Sequence, residues 1–202
     1  MRGWSASGGF YELKGYPMRR VLDVKANGCQ ATRPQLMVVM MNPGSSRPSY
    51  SNYYFDGMCE AIPDKTQEQI INVCEQCNVD YFRVLNLSDL REPNSAIFLS
   101  KPSDPKFQNL PHSIFHPQRK AELEANWEKG VPAVFGWGVD SKLEPLAKSA
   151  LTSLNIPNPI GWQRKLSSWA YYHPLQRSKS RKDTWINILV TQLRFCVRRL
   201  PV

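Results

Sequence analysis

Residues 36–41, Leu-Met-Val-Val-Met-Met, are six consecutive apolar positions closed by Asn42-Pro43-Gly44. A run this short with no alternation reads as a strand covered on both faces, the habit of strands in a helix-flanked parallel sheet. Three more stretches repeat the pattern of an apolar run followed by polar or Gly-bearing residues. They are Val84-Leu85-Asn86-Leu87, Phe135-Gly136-Trp137-Gly138 and Tyr172-His173-Pro174-Leu175. Helical periods fall between them, over about 65–78, 117–129, 140–154 and 182–199. Strands alternating with helices predict a three-layer α/β/α fold with a central, mostly parallel four-stranded sheet. Ligands of such sheets bind beyond the carboxyl ends of the strands. Asn42, Asn86, Trp137 and His173 are therefore expected to line one cleft.

The segments between these strands are read less sharply. Residues 1–17 are expected to be irregular, 18–25 an edge strand, 45–63 a long ordered loop and 168–172 a fourth strand ending at His173. Residues 88–116 hold four prolines and no period, and read as a loop-rich insertion in a single domain spanning 1–202.

The chain has 202 residues, 42% of them apolar, which is enough for a proper core. No apolar run reaches the length of a membrane span and no secretory pattern opens the chain. A cytoplasmic monomer without membrane contact is the expectation. The formal charge is +9, which suits a polyanion. The excess is concentrated after residue 164, where Asp183 is the only acid up to Arg199. The five cysteines are an odd set without a close second pair beside Cys74 and Cys77. Reduced thiols, no metal and no cofactor are expected.

Chemistry can be assigned to the strand ends. Pro43 and Gly44 force a sharp exit, and Gly44 lets a ligand approach the backbone. An amide at Asn42 or Asn86 offers both a donor and an acceptor, enough to read a base edge. Leu175, Gln176, Arg177, Ser178, Lys179 and Arg181 form a wedge and a basic loop suited to phosphates. Tyr50, Tyr53, Tyr54 and Phe55 are candidate stacking rings.

In this order, the motifs resemble the uracil-DNA glycosylase superfamily. Met40–Gly44 is similar to its first motif, in the Asn-Pro-Gly form of the mismatch-specific branch. They also resemble an uncharacterised bacterial and phage family with related motifs. The resemblance implies a monofunctional DNA glycosylase that hydrolyses the N-glycosidic bond of a flipped pyrimidine and leaves an abasic site. It implies that Asn42 positions water, His173 stabilises the departing base, Phe55 stacks on it, and Asn86 reads it beside Pro43 and Gly44. An Asn cannot act as the general base that an Asp would be, so Asp56 and Asp89 are the candidate auxiliary acids. Gly44 stands where the uracil-specific branch has Tyr, which implies a larger C5 substituent. Modified phage DNA and antiviral defence are one destination. A mismatch-repair glycosylase, or a non-catalytic nucleic-acid-binding or nucleotide-binding module, is the alternative.

Overall fold

The computed structural model describes residues 2–50 and 57–197. Its spine is a mixed seven-stranded sheet in the order β4-β5-β1-β2-β6-β3-β7. The strands are β1 (Trp4–Leu13), β2 (Tyr16–Ala26), β3 (Leu36–Met40), β4 (Arg47–Pro48), β5 (Gly57–Ile62), β6 (Tyr81–Asn86) and β7 (Ala133–Phe135). Only β6, β3 and β7 run parallel to one another. The pairings β1–β2, β1–β5, β2–β6 and β4–β5 are antiparallel. The expected four-stranded, mostly parallel sheet is therefore incorrect, because most of this sheet is antiparallel.

The physical reason lies at the amino-terminal end. Residues 1–17, expected to be irregular, supply β1, which closes on β2 through a two-residue turn at Lys14-Gly15. Both turn residues have positive φ, 52° and 82°, the twist that suits a tight hairpin. β2 is not an edge strand, because it lies between β1 and β6. The 45–63 stretch, expected to be a loop, contributes β4 and β5. The fourth strand, expected at 168–172, is reduced to isolated bridges from Tyr171 to Gly138 and Gln163.

Five helices cover the sheet: α1 (Lys65–Cys77), α2 (Ser95–Ser100), α3 (Lys120–Asn126), α4 (Glu144–Leu154) and α5 (Lys179–Val197). One face of the sheet packs Leu22, Val24, Val38 and Val84 against α1 and α5, whose Ile70, Cys74, Trp185 and Leu189 are buried. The other packs Met37, Val39 and Leu85 against α3, α4 and the 88–116 segment. Phe98, Phe107, Ile114 and Phe115 of that segment belong to this second core. Strand β3 is buried at all five positions, as its unbroken apolar run requires. No helix among the described residues is long and apolar enough to cross a membrane.

Candidate functional site

β3 and β6 run side by side, with Met40 opposite Asn86, so their carboxyl ends open in the same place. The chain leaves β3 through Asn42-Pro43-Gly44, and Gly44 takes φ +61°. A Cβ at Gly44 would lie 3.0 Å from Asp64 Oδ2. Both the backbone and the carboxylate therefore favour glycine here. Asp64 caps α1, with its Oδ1 accepting from the Thr66 N–H at 2.7 Å, while the Gln67 side chain returns to the Asp64 N–H. This capping box fixes the carboxylate over the glycine turn.

His173 follows Tyr171, which bridges Gly138 just beyond β7. Its Nδ1 accepts the Leu175 N–H at 3.2 Å, which leaves the proton of a neutral ring on Nε2. The ring is partly buried, and desolvation pushes its pKa down to about 4, against a smaller upward pull from the Asp64 charge. At neutral pH the imidazole is an uncharged donor beside a carboxylate.

The two amides are committed elsewhere. Asn42 Nδ2 donates to the carbonyls of Leu90 at 3.2 Å and Glu92 at 2.7 Å, tying the β3 exit to the chain after β6. Asn86 is wholly buried. With the amide oxygen assigned to the side facing Arg19, it donates to the Asn42 carbonyl at 3.3 Å and accepts from Arg19 Nη2 at 3.2 Å. Arg19, from the middle of β2, is also wholly buried, and burial lowers its pKa to about 10. Its Nε and Nη1 have no partner among the described residues, and neither does the buried hydroxyl of Ser46.

Asp89 lies behind this cluster. It is fully enclosed, and its Oδ2 is held by Tyr11 Oη at 2.7 Å and Arg119 Nη2 at 2.7 Å. Burial pushes its pKa up to about 6, with Arg119 pulling the other way. Its role is to pin three chain segments together. Trp137 is fully buried, with Phe135 and Tyr171 against its ring, and its indole N–H donates to Trp169 O at 2.8 Å. It packs the core and does not line the cleft. Phe55 and Asp56, with Tyr53 and Tyr54, lie outside the described residues; Tyr50 is exposed.

The basic loop follows His173 directly. Gln176 Nε2 donates to His173 O at 2.5 Å and its Oε1 accepts from Arg181 Nε at 3.1 Å. The Arg181 guanidinium lies over the rings of Trp162 and Tyr172, at 4.9 Å and 5.1 Å. Ser178 accepts from the Arg181 N–H at the start of α5. Leu175, Arg177 and Lys179 are exposed.

The strand ends thus bring together Gly44, Asp64, His173, Asn86 and Arg19. Sequence reasoning reached three of them. It placed a helical period just after Asp64, over about 65–78, and had Arg19 only as part of an edge strand. A signal for Arg19 was present, because Arg19 and Arg20 are consecutive in a strand. Successive side chains point to opposite faces, so one arginine must enter the sheet's covered side. Two open hollows lie elsewhere, one of about 590 Å³ beside the end of α5 and one of about 490 Å³ between α3 and α4. Their linings bring together no comparable set of buried polar groups. Among the described residues no group of three or more His, Cys, Asp or Glu side chains is placed to hold a metal.

No curated protein and no solved structure matches this chain. A family model does match, over residues 16–175, from β2 to the loop after His173. By that match the chain belongs to the family described as "Protein of unknown function (DUF1643)".

Proposed function

We propose that the protein is a DNA glycosylase acting on a flipped, C5-substituted pyrimidine and leaving an abasic site. The observation that carries this reading is the pairing of a neutral His173, with its donor fixed at Nε2, and the Asp64 carboxylate over Gly44. The flipped base would lie against Gly44, which carries no side chain of its own to oppose a C5 group. His173 Nε2–H would donate to the base oxygen that gains negative charge as the N-glycosidic bond breaks. A neutral donor suits that role, since it need not surrender a proton.

Asp56 lies outside the described residues and Asp89 is enclosed, so the carboxylate we assign to water is Asp64. Its Oδ1 is taken by the cap and its Oδ2 faces the turn. Water attacks C1′ of the sugar, its proton passes to Asp64, and the bonding pair leaves with the base. Arg177, Lys179 and Arg181 would hold phosphates, and Leu175 with Gln176 would fill the vacated stack. An antiviral role against modified phage DNA follows from the same pocket argument.

One observation favours a second reading, a non-catalytic nucleic-acid module. The Asn42 amide nitrogen and the Asn86 amide are committed to internal bonds, which leaves Asn86 without the base-reading role that the resemblance implies. The discriminating experiment incubates the protein with DNAs bearing uracil, thymine mismatches, 5-hydroxymethylcytosine or its glucosylated form, and then scores alkali-labile sites. Cleavage that falls about 10²–10³-fold in His173→Ala is expected. DNA binding with no abasic sites on any substrate would select the module instead.

A further inference from the structure

Among the described residues, Lys14, Asn78, Asn155 and Leu166 have positive φ without being glycine. Asn78 and Asn155 end α1 and α4, and Lys14 shares its hairpin turn with Gly15. Leu166, at φ +61°, meets neither condition. The Ser167 N–H donates to Arg164 O at 3.2 Å, so Leu166 holds the third position of a turn, where a positive φ ordinarily selects Gly or Asn. Its side chain is also the most exposed of the large hydrophobic residues described. A leucine is strained in this conformation, and full exposure gives it no burial to offset the strain. Strain that packing does not explain points to a function for the residue.

The turn is stiffly held. It closes a short hairpin in which the Arg164 N–H donates to Ala170 O at 2.9 Å and Gln163 bridges Tyr171. Gln163 Nε2 donates to Ser167 O at 2.7 Å, and Ser167 Oγ accepts the Ala170 N–H at 3.1 Å. The returning arm is tied to the core where Trp137 Nε1 donates to Trp169 O. At the base of the hairpin, Trp162 and Tyr172 lie under the Arg181 guanidinium, which joins it to the start of α5. The same arm runs on into His173.

Arg164 and Lys165 precede Leu166 and are exposed. With Arg177, Lys179, Arg181 and Lys182 they form a stretch that holds no acid before Asp183. A lone exposed leucine beside cations on a stiff hairpin suits a nucleic-acid duplex. Cations meet the phosphates, and an apolar wedge enters between base steps and kinks the helix. An anionic membrane fits less well, because its binding scales with buried apolar area. The neighbouring Trp162 and Trp169 pack against the two cores, which leaves only the leucine at the tip.

We propose that the 164–167 turn is a second DNA contact, in which Leu166 is a wedge that enters a base step and Arg164 and Lys165 hold the phosphates beside it. Leu166 precedes His173 by seven residues, a reach of at most about 23 Å or about seven base steps. Leu175 therefore keeps the vacated stack, and Leu166 bends the duplex to one side of it. The contact rests on the nucleic-acid reading that the glycosylase and the non-catalytic module share, and it is measured without cleavage.

The test uses the full chain and a mixed-sequence duplex of about 20 base pairs, long enough for that reach. Fluorescence anisotropy reads affinity, and energy transfer between dyes at the two ends reads bending. Leu166→Gly relieves the turn and should melt close to or above the wild-type temperature. It should bind the duplex about 10-fold more weakly with an unchanged salt slope, and lose the shortening between the ends that the wild type produces. Arg164→Gln and Lys165→Gln should each reduce the salt slope by about 0.9. Equal affinity or equal bending in Leu166→Gly would overturn the proposal. So would melting well below wild type, which would make Leu166 structural. Leu166-dependent binding to phosphatidylserine vesicles without binding to the duplex would also overturn it and place the tip at a membrane. Leu166-dependent bending with no abasic sites on any modified DNA would leave the wedge standing and remove the glycosylase. Abasic sites with duplex binding unchanged in Leu166→Gly would sink the wedge alone.

Discussion

A histidine whose Nδ1 accepts a backbone N–H is fixed in one tautomer, and burial then decides its charge. His173 has both features. Its depressed pKa means that the ring stays neutral as pH falls through 6.5 and gains a proton only near 4. The rate of base excision, as kcat/KM, should therefore stay flat from pH 8 to about 5 and decline near 4. An acid limb at 6.5 would show a solvated ring without the assigned role. The histidine was legible from its motif, although the strand expected before it is only a pair of isolated bridges. Its neutrality was not, because desolvation comes from chain segments remote in sequence. The same holds for Arg19, whose place in Arg19-Arg20 signals burial of one of the two but not what that one meets.

Elements with a strong local period were readable, and those defined by a partner were not. α1 carries a complete capping box at Asp64 and Gln67, and its boundary follows from those residues alone. α5 buries Trp185, Leu189 and Leu193, a helical rhythm visible in the sequence. Gln192 breaks that rhythm with a purpose, since its Oε1 accepts the Gly161 N–H at 2.8 Å. β1 has Gly8 and Gly9 at its centre and shows little pattern; it is a strand because β2 and β5 pair with it. A prediction at this scale separates the two duties of Asp64. Asp64→Ala should lose about 0.5–2 kcal/mol, whereas Asp64→Asn keeps a capping side chain and should melt close to wild type. If Asp64 activates water, Asp64→Asn should still lower excision about 10²–10⁴-fold. Unchanged excision in a stable Asp64→Asn would remove it from the chemistry.

Across the whole molecule, the long segment after β6 closes back onto the sheet. Arg119 binds Asp89 Oδ2, Glu122 Oε2 and the Pro111 carbonyl, and Asp89 also takes the Tyr11 hydroxyl of β1. This knot ties the hairpin, the β6 exit and α3 together behind the cleft. Arg119→Met would strand a buried carboxylate, at a cost of about 3–5 kcal/mol at neutral pH. The sign with pH follows from Asp89, whose pKa is raised by burial to about 6. Its contribution to stability is fully present below the unfolded value near 3.8 and is lost as pH rises through 6. The deficit of Arg119→Met should accordingly be larger at pH 8 than at pH 4.5. Urea unfolding at the two pH values measures it, and an equal deficit would mean that the Asp89 charge is not buried.

The sequence by itself determined the buried β3, β6 and β7 runs, the major helices and the strand-end positions of Asn42, Gly44 and Asn86. These depend on residue spacing, turn chemistry and caps, all of which act over a few neighbours. Only the tertiary structure decided that the sheet is mostly antiparallel, because strand direction is set by which strands pair and not by a strand's own residues. Only it decided that Asn42 and Asn86 bond inward, that Trp137 is core, that Asp64 stands over Gly44 and that Arg19 meets Asn86. Each of those outcomes depends on contacts between segments tens of residues apart, where burial and charge are fixed together.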